Sequence, residues 1–334
     1  MKYVGIDVSA KELVVSILGA EDKSNQSKVF DNTATGYRKL IKHLQPKKYQ
    51  SRVCMEATGV YHFDVAVALS KINNIELMVL NPKVASNFAK SLSTKSKTDA
   101  IDAITLGEYA KRMKFVPWRC PSVDELNVRS YARQLARLTQ HKSKLKNQLH
   151  ALKSSQTEPK EVIRVQEKTI VFYDKEIEKL EAVAIKFIAT NKLLNSRFEL
   201  LLSIKGVAKK SAIQLLGELS VLPSDMGKKQ WVAHAGLHPV HCQSGSSINK
   251  KPYISRAGNR YLRCALYMPA ISAATNDEHV RGFYLHLQED NDLVKMQAIC
   301  AIMRKLLHAI WGMFATDKPF DGASFYKLKT QTSC

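Results

Sequence analysis

Short apolar runs alternate with helical patterns in the first third of the chain. Two such runs lie between Lys2 and Ile17, and the polar residues between them, Ser9–Glu12, predict the turn of a β-hairpin. The later runs predict strands at Arg52–Met55 and Glu76–Leu80 and helices at Gly36–Leu44, Tyr61–Leu69 and Asp99–Lys114. Together these elements predict an α/β domain with a mixed sheet over residues 1–118.

The middle of the chain has a different rhythm. Apolar residues three and four positions apart run from Tyr131 to Leu152 and again from Ile163 to Phe187. This spacing predicts two long antiparallel helices, a helical coiled-coil linker over residues 119–190. The rest, residues 191–334, predicts a mainly α-helical C-terminal domain with a Ser-rich insert at Gln243–Ile248.

The charge of the chain indicates the class of partner. Fifty-one Lys and Arg face thirty Asp and Glu, which gives a net charge of +21 and a pI near 9.6. Each of the three predicted domains has an excess of basic residues. A nucleic acid that contacts much of the chain would explain this, because cationic side chains neutralise phosphates and release counterions. The alternative is a generally basic protein without such a partner.

The sequence also predicts a cytoplasmic location and no membrane partner. No apolar run approaches the roughly 20 residues that a membrane span needs, and strand-like sequence begins directly at Tyr3. The six cysteines are scattered without a C-x-x-C pair, which argues against a structural zinc site and a disulfide framework.

One face of the first long helix is strongly basic. Arg129, Arg133 and Arg137 are spaced four residues apart, and few acidic residues oppose them. This pattern predicts a stripe that contacts DNA or RNA phosphates. A solvated helix face is the alternative interpretation.

Four acidic residues predict a metal site. Asp7 and Glu56 each follow a short apolar strand, and strand ends of an α/β sheet meet at one edge. Asp99 and Asp102 lie three residues apart, on one face of the predicted helix. Carboxylates held this close suit Mg²⁺ or Mn²⁺ and phosphoryl-transfer chemistry. The alternative for the helical pair is an N-cap and a surface charge.

A glycine-flanked group of serines lies in the C-terminal domain. Ser244-Gly245-Ser246-Ser247 precedes a dense basic stretch that contains Lys250, Lys251, Arg256, Arg260 and Arg263. Such a segment could present a hydroxyl nucleophile to a phosphate beside charge-stabilising guanidinium groups. By composition alone, the flexible Ser/Gly loop is the favoured interpretation.

Several short motifs together resemble a known family. In order they are Gly5-Ile6-Asp7-Val8-Ser9, Met55-Glu56-Ala57-Thr58-Gly59, Asn81-Pro82, Lys97-Thr98-Asp99 with Asp102, Ala235-Gly236-Leu237, Ser244-Gly245-Ser246-Ser247 and Ala265-Leu266-Tyr267-Met268-Pro269. This order is similar to that of the DEDD transposases of the insertion-sequence-110 family, bacterial recombinases related to pilin-gene invertases. The resemblance extends from Tyr3 to about Asp321.

The resemblance implies a RuvC-like (RNase H fold) N-terminal domain, a coiled-coil linker and a C-terminal transposase domain. It implies that Asp7, Glu56, Asp99 and Asp102 bind the metal and that Ser244 attacks a DNA phosphodiester to form a covalent phosphoserine intermediate. The implied partners are donor and target DNA and a structured guide (bridge) RNA, in a bacterial, nucleoid-associated setting. Where relatives have Pro and a second Gly, this chain has Lys205 and Ala208, so a hairpin-type phosphate grip there is not expected.

Ser244 lies far along the chain from the acids, so it can meet them only if the helical hairpin folds back or a second subunit contributes. Because the coiled-coil rhythm favours oligomerisation, we predict a composite site shared between protomers of a dimer or tetramer. Two other functions remain open from the residues. One is a metal-dependent, junction-resolving nuclease that uses water and does not need Ser244. The other is a non-catalytic nucleic-acid-binding protein in which the acids are structural. An actin-like kinase is not supported, because no Gly-rich phosphate loop accompanies the first strand.

Overall fold

The computed structural model describes residues 1–18, 27–57, 59, 61–92, 98–155, 157–244, 248–255 and 257–328, with the backbone alone at 241–244 and 248–251. The chain divides into two compact units, Met1–Cys120 and Pro121–Cys334. Each unit is described by itself.

The first unit is an α/β structure built on one mixed sheet. Its elements are β1 (Lys2–Val8), β2 (Glu12–Leu18), β3 (Ser27–Asp31), α1 (Ala34–Leu44), β4 (Ser51–Glu56), α2 (His62–Ser70), β5 (Ile75–Leu80), α3 (Pro82–Ser91) and α4 (Asp99–Arg112). The five strands lie in the order β3-β2-β1-β4-β5. The first three are antiparallel neighbours, while β4 and β5 run parallel to β1. The predicted α/β class with a mixed sheet is confirmed.

The predicted elements of this unit agree with the structure within a few residues, but two elements had not been predicted. In β3, Phe30 is buried while its neighbours along the strand are largely exposed, so this edge strand has no apolar run. In α3, Ala85 is the one buried residue, and Pro82 occupies the first turn. Both elements bury too few side chains to leave a clear hydrophobic pattern.

The second unit is mainly helical, as predicted. Its elements are α5 (Val123–Ser154), α6 (Lys160–Ala189), α7 (Lys192–Leu202), α8 (Lys209–Leu219), α9 (Lys228–Ala235), β6 (Pro239–Ser244), β7 (Ile248–Ile254), α10 (Arg260–Asn276), α11 (Glu278–Glu289), α12 (Lys295–Thr316) and α13 (Gly322–Phe325). The Ser-rich insert therefore has strands at its two ends, and β6 pairs antiparallel with β7. Residues 245–247 lie outside the described part of the chain.

The two longest helices form the predicted antiparallel pair. The ring of Tyr131 lies 5.6 Å from that of Phe187 near the base. Further along the pair, Lys142 contacts Asp174, and near the tip Lys153 Nζ lies 2.6 Å from Glu167 Oε1. The base of α5 also shares a core with the later helices, because Val128, Ala132 and Leu135 are buried with residues of α7, α8 and α10. The predicted boundaries at 118 and 190 stay a prediction.

Among the described helices, α12 is the one with the length and apolar composition to cross a membrane. Within its most apolar stretch, 44% is buried inside the protein. Ile302, Leu306 and Leu307 lie in the core of the second unit. The core helix of a globular protein has the same composition, so α12 is weak evidence for a membrane span.

Candidate active site

Two of the predicted acids lie on neighbouring parallel strands. The register that pairs Ile6 with Met55 places Asp7 and Glu56 side by side, one residue further along each strand. Both acids are half-buried, whereas the residues before them are fully buried. Because parallel strands have their carboxyl ends at the same edge, the two carboxylates meet where the sheet ends.

The other two acids lie in the first turn of α4. Thr98 is the N-cap of this helix, and its hydroxyl oxygen accepts a hydrogen bond from the Ile101 amide at 3.3 Å. Asp99 and Asp102 are therefore not the capping residues, and both carboxylates lie at the positive end of the helix dipole. This excludes the cap interpretation of the pair.

Two glycines bring α4 directly against β1. A Cβ atom on Gly5 would lie 1.8 Å from the Ala103 carbonyl oxygen and 2.4 Å from the Gly107 amide nitrogen. No other residue fits at Gly5 unless the helix moves away. Since side chains alternate across a strand, Asp7 lies on the same face as Gly5 and points toward α4. The close crossing thus brings the first turn of α4 to Asp7.

The electrostatics of Asp7 indicate that the four acids are neighbours. Burial raises its pKa, the charges of Asp99, Asp102 and Glu56 raise it further, and the result is about 6. A hydrogen bond from the Val8 amide acts in the opposite direction. The carboxylate of Asp7 is therefore repelled by the three other carboxylates, and a bound cation would relieve this repulsion.

The donor set fits a hard cation chemically. Within the described residues, no three His, Cys, Asp or Glu side chains are grouped as they are around a bound metal ion. Carboxylate oxygens are nevertheless the ligands that Mg²⁺ and Mn²⁺ prefer, and Mg²⁺ often keeps several of its waters.

Two arginines of the predicted phosphate stripe bind a buried acid in the second unit. The carboxylate of Glu218 in α8 is 1% exposed and accepts hydrogen bonds from Arg133 at 2.7 and 3.1 Å. Asn259 donates to the same carboxylate at 2.6 Å, and Arg129 Nε lies 3.7 Å away. Burial alone would raise the pKa of Glu218, but the bonds from Arg133 and Asn259 hold it below its usual value.

The other predicted basic residues have varied surroundings. Arg137 and Arg260 are exposed, and Arg263 donates to the Ala235 carbonyl oxygen at 2.9 Å. The side chains of Lys250 and Lys251 and all of Arg256 lie outside the described residues. The nucleic-acid contacts of this set stay a prediction. For Arg129 and Arg133, the structure adds an ion pair that the sequence pattern had not indicated.

Ser244 ends β6 and is paired with Ile248 of β7. Its backbone is described, and its side chain lies outside the described part. The acids belong to the first unit and Ser244 to the second, so the predicted composite site stays a prediction. In the turn between α7 and α8, Lys205 precedes Gly206, whose φ of +101° favours glycine.

Sequence reasoning missed three residues whose contacts the structure shows. Gly5 had been noted as part of a motif, but its contact with α4 had not been predicted. Glu218 had no signal at all, because a single acid in an apolar helix could equally lie at the surface. Asn32, between β3 and α1, was also missed.

Comparison with known protein families gives two matches. Residues 4–154 match the model of the DEDD transposases of IS110, described as transposase, and residues 198–285 match the transposase IS116/IS110/IS902 family. Both models describe the same family, and together they span more than two thirds of the chain. The chain belongs to the IS110 family of transposases.

Curated relatives agree with this assignment over nearly the full length. The pilin gene-inverting protein of Moraxella bovis is 29% identical over 323 residues, covering 96% of this IS110-family chain and 97% of the relative. The pilin gene-inverting protein of Moraxella lacunata matches with the same identity and coverage. At this general level, the IS110-family chain is an enzyme of DNA recombination. The four predicted acids lie within the first matched segment, and Glu218 lies within the second.

Proposed function

We propose that this IS110-family protein cuts and rejoins DNA, with Mg²⁺ or Mn²⁺ held by Asp7, Glu56, Asp99 and Asp102. The observation that supports this most directly is the placement of the acids at the carboxyl ends of β1 and β4 and in the first turn of α4. There, burial and the charges of the other three acids raise the pKa of Asp7 to about 6. A fold that retains such repulsion at a strand end loses stability unless a cation occupies the gap. When bound, the metal would stabilise the charge that develops on the phosphate oxygens.

The nucleophile in this proposal is the hydroxyl group of Ser244. Its Oγ forms a bond to a DNA phosphorus while the bond from that phosphorus to a sugar oxygen breaks. The serine proton leaves during the attack, and the released sugar oxygen takes up a proton. The reverse reaction with a new sugar hydroxyl reseals the strand. The position of Ser244 at the end of β6, followed in the sequence by Gly245, supports this role because nucleophilic residues commonly lie where a strand ends.

The proposed architecture is a RuvC-like (RNase H fold) domain, a coiled-coil hairpin and a C-terminal transposase domain. Support comes from the mixed sheet, in which an antiparallel meander continues into two parallel strands. The acids lie at the carboxyl ends of β1 and β4, where ligands of α/β sheets commonly bind.

The proposed partners are donor and target DNA, a structured guide RNA and further copies of this chain. The net charge of +21 supports a polyanionic partner. The pilin gene-inverting relatives, by their name, act on a gene, which supports DNA as the substrate. The antiparallel hairpin of α5 and α6 supports oligomerisation, since exposed apolar residues such as Val165 and Phe172 lie along α6.

The test is the capture of a covalent protein–DNA adduct. The purified chain, its flanking non-coding RNA and labelled DNA from the ends of its gene would be incubated with Mg²⁺ and separated under denaturing conditions. We expect an adduct with the wild type and with the control Ser247→Ala, and none with Ser244→Ala. Cleavage without an adduct in the wild type would instead indicate a nuclease that uses water. An undiminished adduct in Ser244→Ala would remove this residue from its role.

A further inference from the structure

One side chain joins the two loops that follow the acidic strands. Asn32 lies between β3 and α1, and its Nδ2 group donates to the Ser9 carbonyl oxygen at 2.8 Å. The same group donates to the Tyr61 carbonyl oxygen at 3.2 Å. Ser9 follows Asp7 by two residues, and Tyr61 follows Glu56 by five. Asn32 therefore connects the chain just beyond one acid with the chain just beyond the other.

The orientation of the Asn32 amide is determined by its own partners. The hydroxyl group of Tyr37 donates to Asn32 Oδ1 at 2.6 Å, so the amide oxygen faces Tyr37 and both N–H bonds face the two carbonyls. The Asn32 backbone amide also donates to the Lys11 carbonyl oxygen at 2.7 Å. Each donor and the acceptor of this side chain thus has a partner, as expected of a side chain with one defined orientation.

The direct pairing of β1 with β4 ends where this connection begins, at Ile6 and Met55. Asp7 is still paired with Val14 of β2, and Glu56 with Leu80 of β5. Beyond Ile6 and Met55, the loops joined by Asn32 add a link between β1 and β4 themselves. Asn32 supplies this link from a third segment of the chain.

We propose that Asn32 is a positioning residue for the acidic site, which sets the separation of Asp7 and Glu56 through the loops that follow them. The inference rests on the proposed metal-binding function. Some residues do not bind a metal themselves but fix the positions of its ligands. Their replacement typically weakens metal affinity by 10- to 100-fold. A purely structural role would instead lower the melting temperature and leave the metal affinity unchanged.

The experiment measures Mn²⁺ binding directly, by the loss of the free-ion electron paramagnetic resonance signal during titration of the full-length chain. We expect Asn32→Ala to weaken Mn²⁺ binding about tenfold. Tyr37→Phe keeps the amide but removes the hydroxyl that orients it, and we expect a smaller loss of about threefold. Thermal melting of each variant, followed in parallel, reports its stability.

Asn74→Gly is the matched control. Asn74 Nδ2 also donates to a distant loop carbonyl, that of Pro46, at 3.1 Å. Asn74 directly precedes β5, so it lies at the end of the sheet away from the carboxyl ends of β1 and β4. Its φ of +66° suits glycine, so the substitution removes the bond without backbone strain. We expect unchanged Mn²⁺ binding in this variant.

The outcomes separate the two proposals. Wild-type affinity in Asn32→Ala, with a melting temperature lowered as in Asn74→Gly, would overturn the positioning role and leave the metal site intact. A wild-type chain that binds no Mn²⁺, with Asp7→Asn indistinguishable from it, would overturn the metal site and the positioning role together.

Discussion

Each compact unit has a carboxylate that is at least half shielded from water, and the two carboxylates have opposite electrostatic surroundings. Burial and, after it, the charges of three other acids raise the pKa of Asp7 in β1 to about 6. Glu218 in α8 is almost fully buried, yet Arg133 and Asn259 hold its pKa below the usual value. The first carboxylate is half-buried without a cationic side chain among the causes of its shift, and the second has its counterions in the chain itself.

This difference in surroundings indicates which of the two acids stabilises the fold. A buried carboxylate paired with guanidinium groups contributes to stability as long as the pair is complete. Carboxylates held beside one another reduce the stability of the fold, and they are retained where a bound ion or a reaction requires them. By this criterion we assign a structural role to Glu218 and propose Asp7 as a residue of the active site.

Replacement of Asp7 tests this comparison with the largest expected effect. We expect Asp7→Asn to lower DNA strand cleavage by about 10³-fold or more, because one neutral ligand weakens metal binding and transition-state stabilisation together. The measurement is the rate of adduct formation on labelled DNA. Asp31→Asn, at an exposed position of β3, is the control and should keep the wild-type rate.

Replacement of Glu218 tests the structural half. We expect Glu218→Gln to destabilise the second unit by about 3 kcal/mol, because two partly buried arginines lose their counterion. The side chains of Arg129 and Arg133 are 31% and 29% exposed, so water can replace only part of the lost interaction. Urea unfolding measures the change.

The control for this variant is Glu199→Gln, an exposed acid in α7, which should change stability by less than about 0.5 kcal/mol. A destabilisation of Glu218→Gln no larger than that of the control would contradict the structural assignment.

The smallest expected effect is a pH-dependent gain of stability in Asp7→Asn without divalent ions. The pKa of Asp7 is raised from 3.8 to about 6, so between these values the folded wild type binds more protons than the unfolded chain. Its stability therefore falls as the pH rises through this window. We expect the variant to match the wild type near pH 4 and to exceed it by about 1 kcal/mol at pH 7, after allowance for solvent screening.

Hydrogen exchange of the β1 amides in chelator would measure this difference locally. Addition of Mg²⁺ should reverse the order, because only the wild type retains the full ligand set. A variant less stable than the wild type at pH 7 in chelator would contradict the repulsion that the comparison describes.

The local pattern of apolar and polar residues was sufficient to predict most of the fold. The strand-end acids Asp7 and Glu56, the helical pair Asp99 and Asp102 and the two long helices all follow from the periods of two and about 3.6 residues that strands and helices impose. These features depend on residues close together in the chain, so the sequence by itself determined them. The elements β3 and α3, which bury few residues, and the strands β6 and β7, which flank a Ser-rich segment, lacked such a pattern.

The tertiary structure alone decided how these parts are combined. Gly5 meets Ala103, Arg133 meets Glu218 at a separation of 85 residues, and Asn32 meets Tyr61 at 29. No periodicity marks such pairs, because each partner satisfies its local pattern equally well with or without the other. The basic stripe shows the consequence. The sequence determined that Arg129 and Arg133 share one helix face, but packing against α8 decided that this face meets a buried carboxylate.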